Sequence, residues 1–139
     1  MMFHRLKILL RRSIVGLTLL IAACTPSHSP EESIQLFYES LNQQNYPELL
    51  SLFNLEEKLK DPEAEAEAYE ILTIIFTDLA LNIQEKGGIN KIEYHTIEYN
   101  SEKDRAIVRY TLYYNDGDYQ FDTLVLTKDH TGFWQLTIG

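Results

Sequence analysis

The chain has a single cysteine, Cys24, among 139 residues, so no disulfide can form within it and packing alone must hold its fold. The same scarcity removes thiolate metal sites, and His28, His95 and His130 fall in three separate segments without metal-ligand spacing. Bases are also few: 12 Lys and Arg stand against 21 Asp and Glu, a net charge of −9. A chain of that sign is repelled by phosphate backbones, which excludes nucleic acid as a partner. No Ser nucleophile elbow, P-loop or Gly-rich dinucleotide turn is present. Gly87-Gly88 closes a helical pattern rather than opening one, the wrong side for phosphate. Asp116 and Asp118 flank Gly117 and could attract Ca²⁺, but an Asp-Gly hairpin accounts for them. No metal and no cofactor is therefore expected.

What the chain does have begins at its N-terminus. His4, Arg5, Lys7, Arg11 and Arg12 form a positive region, followed by an uncharged apolar run from Ser13 to Ala23. That run is shorter than the ~20 residues of a membrane-spanning helix and fits the apolar region of a signal peptide. It closes on Leu20-Ile21-Ala22-Ala23-Cys24, with small residues where a signal peptidase cuts. The arrangement resembles the lipobox of bacterial lipoproteins and covers the first 24 residues. The resemblance implies that residues 1–23 are a cleaved signal peptide. It implies too that Cys24 carries a diacylglyceryl group and a further, palmitate-type acyl chain on its new N-terminus.

Thr25 follows the cysteine, where an Asp would mark inner-membrane retention in a Gram-negative lipoprotein. The expected location is thus the cell envelope: the periplasmic side of the outer membrane in a Gram-negative cell, the outer face of the cytoplasmic membrane in a Gram-positive one. The leader holds four of the bases and no acid, leaving eight bases against 21 acids in residues 24–139. Residues 24–29 are then the lipidated cysteine and a short tether, the five residues Thr25 to Ser29. At about 3.3 Å per extended residue it reaches about 16 Å, keeping the domain near the bilayer while its charge keeps it out.

Residues 30–139 read as one α+β domain. Ser29, Pro30 and Glu32 make a Ser-x-x-Glu capping box with proline at the first helical position. Ile34, Phe37, Tyr38 and Leu41 then recur at helical spacing, and Asn42-Gln43-Gln44-Asn45 ends the run. Pro47 opens a short second helix with Leu49, Leu50 and Phe53 inward. Asp61-Pro62 starts a third that runs to Lys86 and stops at Gly87-Gly88. Leu72, Ile75, Phe76, Leu79 and Ile83 form its main stripe, widened by Ile71, Ile74 and Leu81. So broad a stripe predicts a helix packed between the sheet and the first two helices, with a pocket wall or dimer contact as the sharper reading.

From Gly88 the period switches to alternation. Ile89–Tyr99, Ala106–Tyr114, Tyr119–Lys128 and Phe133–Ile138 read as four strands, joined by the polar turns 100–104, 115–118 and 129–132. Three N-terminal helices packed on a four-stranded antiparallel meander, an α+β arrangement, follow.

Three helices, a Gly-Gly turn and a meander ending at Gly132-Phe133-Trp134-Gln135-Leu136 resemble the nuclear transport factor two-like superfamily, in its lipoprotein branch of unassigned role. Gly87-Gly88-Ile89, Asp104-Arg105-Ala106-Ile107-Val108 and Leu124-Val125-Leu126-Thr127-Lys128-Asp129 carry the rest of the resemblance, which spans nearly all of residues 30–139. It implies a cone in which a bent sheet wraps the helices, often around an interior pocket. It implies no activity, because the superfamily holds enzymes, transport factors and binding modules.

The expected function is that of a membrane-anchored binding module without catalysis, whose partner is a protein, a small apolar ligand or a second copy. The alternative is an enzyme using the interior pocket. Glu93 and His95, two apart on one strand, are then the acid-base pair the chain offers, since imidazole titrates near neutrality and a carboxylate can orient it. Solvated side chains on a half-exposed strand are the plainer account. Tyr113, on the strand face opposite Tyr110 and Leu112, is the candidate for an interaction surface.

Overall fold

A computed structural model describes residues 28–53, 55 and 59–137. Cys24 and residues 1–23, the expected signal peptide, lie outside the described residues. Helix α1 spans Pro30–Asn42, α2 Tyr46–Ser51 and α3 Pro62–Glu85. Strands β1 (Ile89–Tyr99), β2 (Arg105–Tyr114), β3 (Tyr119–Lys128) and β4 (Trp134–Leu136) form one antiparallel sheet in the order β1-β2-β3-β4. The α+β meander expected from the change of period is the fold observed.

Each helix starts where its cap places it. The Glu32 N–H donates to Ser29 Oγ at 3.2 Å, the Glu48 N–H to Asn45 Oδ1 at 3.4 Å, and the Glu63 N–H to Asp61 Oδ1 at 3.2 Å. These bonds satisfy amides that have no partner inside a helix. Gly87 and Gly88 both take positive φ, and the Gly88 N–H reaches back to Ile83 O at 2.9 Å. The helix end is then fastened to the β2–β3 hairpin: Asn115 N–H donates to Gly88 O, Asp116 N–H to Lys86 O, and Asn115 Nδ2 to Gly87 O. A side chain at Gly88 would also press on Asn115 Nδ2 at 3.3 Å.

The inner face of β2 supplies the core. Ala106, Val108, Tyr110, Leu112 and Tyr114 alternate inward and are buried, meeting Ile34, Tyr38 and Leu41 of α1 together with Leu126, Trp134 and Leu136. Each fully buried aliphatic side chain contributes roughly 1.5–3 kcal/mol. Polar bonds set the registry of α1 on the sheet. Ser33 Oγ donates to Trp134 O at 2.5 Å, and Tyr94 Oη donates to Glu31 O at 3.2 Å. Leu52 O accepts from the Leu136 N–H at 3.0 Å, which draws the segment after α2 to the sheet edge.

Helix α3 departs from expectation. It packs chiefly on α1 and α2 rather than between them and the sheet. Leu72, Phe76, Ala80 and Ile83 are buried, with Phe76 stacked on Phe53 at 5.5 Å and edge-on to Phe37 at 5.8 Å. Ile75 and Leu79 of the predicted main stripe stand in solvent, as do Ile71, Ile74 and Leu81. The cause is occupancy: α1 already covers the inner face of the sheet, so α3 is left with one side to bury. The final strand begins one residue later than expected, because Phe133 closes the preceding turn with its carbonyl accepting from the Asp129 N–H at 2.9 Å while its ring stacks on His28 at 4.5 Å; Ile138, the expected end, lies outside the described residues.

Candidate functional site

Two places gather side chains able to do chemistry, one on each face of the sheet. On the outer face, the pairing register skips a residue between Tyr94 and Thr96, so His95 sits in a β-bulge. Bulges re-aim side chains. Here the imidazole lies across the neighbouring strand, with Nε2 2.5 Å from Thr111 Oγ1 and Nδ1 3.7 Å from Glu93 Oε1. Glu93 pairs directly with Thr111 on β2, and Thr111 pairs in turn with Phe121 on β3. Thr111 is only 1% exposed although it faces outward, because His95 and Phe121 roof it. Glu93 and His95 are themselves on the open surface, 49% and 39% exposed. The structure thus brings the predicted pair together on the outside of the cone, where it does not line the interior pocket.

Tyr113 falls on the same outer face. Its ring lies 6.3 Å from that of Tyr119, which meets Phe121 edge-on at 5.6 Å, and Lys91 Nζ sits 4.8 Å above Tyr113. Phe121, 72% exposed, is the outermost member of this aromatic row. Alternation along β3 places Tyr119 and Phe121 on one face of the sheet.

Inside the cone is a cavity of about 200 Å³ between α1, α3 and the sheet. Phe37, Leu41, Ile83, Leu112 and Leu124 supply its apolar wall, and Asn82, Gln120 and Asp122 its polar rim. The hydroxyls of Tyr38 and Tyr110 meet beside it at 2.6 Å. Burial pushes both phenols well above the ordinary value of 10.0, and the charge of Asp122 pushes the same way. Tyr94 is raised by burial to about 12. These tyrosines are neutral donors at physiological pH and cannot serve as bases. One proton of the Tyr38–Tyr110 pair is spent within the pair, and of the two phenols it is Tyr38 that lines the cavity. Tyr38, Tyr110 and Asp122 were not singled out from the sequence. The helical stripe of α1 and the alternation of β2 place the two tyrosines inward, but nothing local says that they meet.

Asp116 and Asp118 are occupied with the hairpin. Asp118 pairs with Lys86 Nζ, and Asp116 Oδ1 accepts from the Asp118 N–H at 2.8 Å. Among the described residues no group of three His, Cys, Asp or Glu is placed to hold a metal ion. No described helix is long and apolar enough to cross a membrane.

Three helices on a four-stranded antiparallel meander make this a nuclear transport factor two-like fold. No family model matches the chain, and no curated protein does. Among solved structures, it is similar to a Campylobacter jejuni protein provisionally named an NTF2-like transpeptidase. The TM-score is 0.69 at 21% sequence identity, over 80% of this chain and 100% of the other. A likeness at that identity extends to the fold.

Proposed function

We propose that this chain is a lipid-anchored envelope protein whose cone domain is a binding module for a protein partner, held near the bilayer by Cys24. The observation that carries the binding role is the apolar surface left over after folding. Ile71, Ile74, Ile75 and Leu81 are 47–65% exposed on a helix whose opposite side is firmly packed. Exposed apolar residues clustered on one element, rather than scattered singly, mark interaction sites. The acid-base candidates support a non-catalytic reading, since Glu93 and His95 sit on an open face with nothing to exclude water.

The anchor is tested by labelling cells with a fatty-acid analogue. The wild-type chain is expected to incorporate label and sediment with membranes, while Cys24→Ser does neither. The binding role is tested by photo-cross-linkers at Ile74 and, separately, at Lys103. A partner captured from intact cells at the first position and not at the second supports the reading; no adduct at either position counts against it.

One observation favours a catalytic or ligand-storing reading instead. The inner cavity pairs an apolar wall with Asp122 and a phenolic donor, the kind of arrangement small-molecule sites use. A small molecule that co-purifies with the wild-type chain, and is lost on Leu112→Trp substitution into the cavity, would move the assignment there.

A further inference from the structure

Helix α3 carries two apolar faces nearly back to back. At 100° per residue, Leu72, Phe76, Ala80 and Ile83 cluster on one side, while Ile71, Ile74 and Ile75 centre on the other, with Leu81 beside them. From Ile71 to Leu81 the outer ridge runs about 15 Å at 1.5 Å per residue, some three turns. That is the length over which two helices exchange side-chain ridges.

The charge around this ridge is of one sign. Helix α3 contains Glu63, Glu65, Glu67, Glu70, Asp78 and Glu85 and no base in its 24 residues. Glu67, Glu70, Asp78 and Glu85 are exposed beside the isoleucines. Lys86, at the C-terminal cap, is already paired with Asp118.

An occupant must therefore offer apolar side chains flanked by positive charge. A second copy of this chain does not, because it would bring two base-free helices together, and like charges across a contact are unfavourable. An anionic bilayer is repelled for the same reason. We infer that the outer face of α3 is a docking ridge for a cationic amphipathic helix of a partner protein, with Ile71, Ile74, Ile75 and Leu81 as the apolar contact and the surrounding carboxylates as its charge complement. The inference rests on the binding-module reading and names the partner's chemistry. Apolar burial supplies the affinity in such a contact, and the charges supply orientation and rate.

The experiment uses the full-length chain in detergent and two synthetic amphipathic peptides of one Leu pattern, the first with Lys on its polar face and the second with Glu. The Lys peptide is expected to bind, and the Glu peptide to bind at least about tenfold more weakly. Ile74→Lys should weaken the Lys peptide by about tenfold or more, while Phe121→Ala on the sheet leaves it unchanged. Raising ionic strength should weaken the interaction, since the charges are at the surface. Ile74 is 65% exposed, so its replacement spares the core, and unchanged urea unfolding confirms that.

Equal binding of both peptides, or binding insensitive to Ile74→Lys, overturns the inference. So does a dimer in sedimentation that Ile74→Lys dissociates, which would give the ridge to a second copy. A partner cross-linked in cells at the α3 face but lacking a basic helix would sink the inference and leave the binding-module reading standing. No cross-linked partner at all would count against that broader reading instead.

Discussion

Helices α1 and α3 begin alike, with a side-chain cap followed by proline and acids in the first turn, yet they meet different surroundings. In α1, seven of 13 residues are buried, because the sheet lies on one side and α2 and α3 press on the other. In α3, only four of 24 are buried, although its sequence is richer in large aliphatic residues. Periodicity measures how much surface a helix can bury. Whether anything in the same chain is available to cover it depends on the order in which the layers fill. Here α1 takes the inner face of the sheet, and α3 keeps half of its apolar surface for something else.

The contrast predicts its largest effect when matched truncations are made on the two helices. Ile34→Ala, at a position 0% exposed and enclosed by the core, is expected to cost about 2–5 kcal/mol. Ile74→Ala is expected to stay within about 0.5 kcal/mol, because its side chain is already in water. Urea unfolding midpoints at unchanged slope would measure both. A loss at Ile74 comparable to that at Ile34 would mean the outer ridge is covered in solution, and the two helices would no longer differ.

A second test sharpens the same comparison through pH, at the junction where α1 meets β2. Tyr38 and Tyr110 are buried there, and burial raises both phenols above their ordinary value of 10.0. The folded state therefore keeps protons that the unfolded state gives up above pH 10. Stability is full below pH 10 and falls as pH climbs beyond it, by about 1.4 kcal/mol per pH unit for each phenol held neutral. Tyrosinate absorbance should show Tyr38 and Tyr110 ionising only with unfolding. Smooth titration of every tyrosine ahead of unfolding would show that the junction is wet.

Much of this was legible in the residues. The caps at Ser29 and Asp61, the Gly87-Gly88 stop and the alternation of β2 each act within a few positions, and each landed where its local chemistry put it. What escaped depends on distant parts of the chain. The bulge at His95 is a property of pairing with β2, and it determines how His95 and Glu93 share the outer face. The Tyr38–Tyr110 contact joins positions 72 residues apart, and the cavity beside it exists only once three elements converge. The width of the α3 stripe was visible, but its meaning was not, since the same isoleucines would serve an internal layer or an external partner equally well.

The smallest expected effect concerns how β4 helps make α1 the better-covered helix. Asp129 organises the hairpin before it: Oδ1 accepts from the Thr131 N–H at 2.8 Å, Thr131 Oγ1 at 2.6 Å and the Phe133 N–H at 3.0 Å. The turn presents Trp134, whose carbonyl takes the Ser33 hydroxyl proton from α1. Asp129→Ala should cost about 1 kcal/mol, the net worth of a local hydrogen-bonded cap, and Asp129→Asn should recover part of it because its amide oxygen still accepts. The loss should surface in hydrogen exchange as faster opening of β4 and the start of α1, with the amides of α3 unaffected. If α3 loosened to the same degree, its inner contacts with Phe37 and Phe53 would depend on the sheet edge after all. The outer ridge would then belong to a single cooperative body rather than to a helix braced from one side.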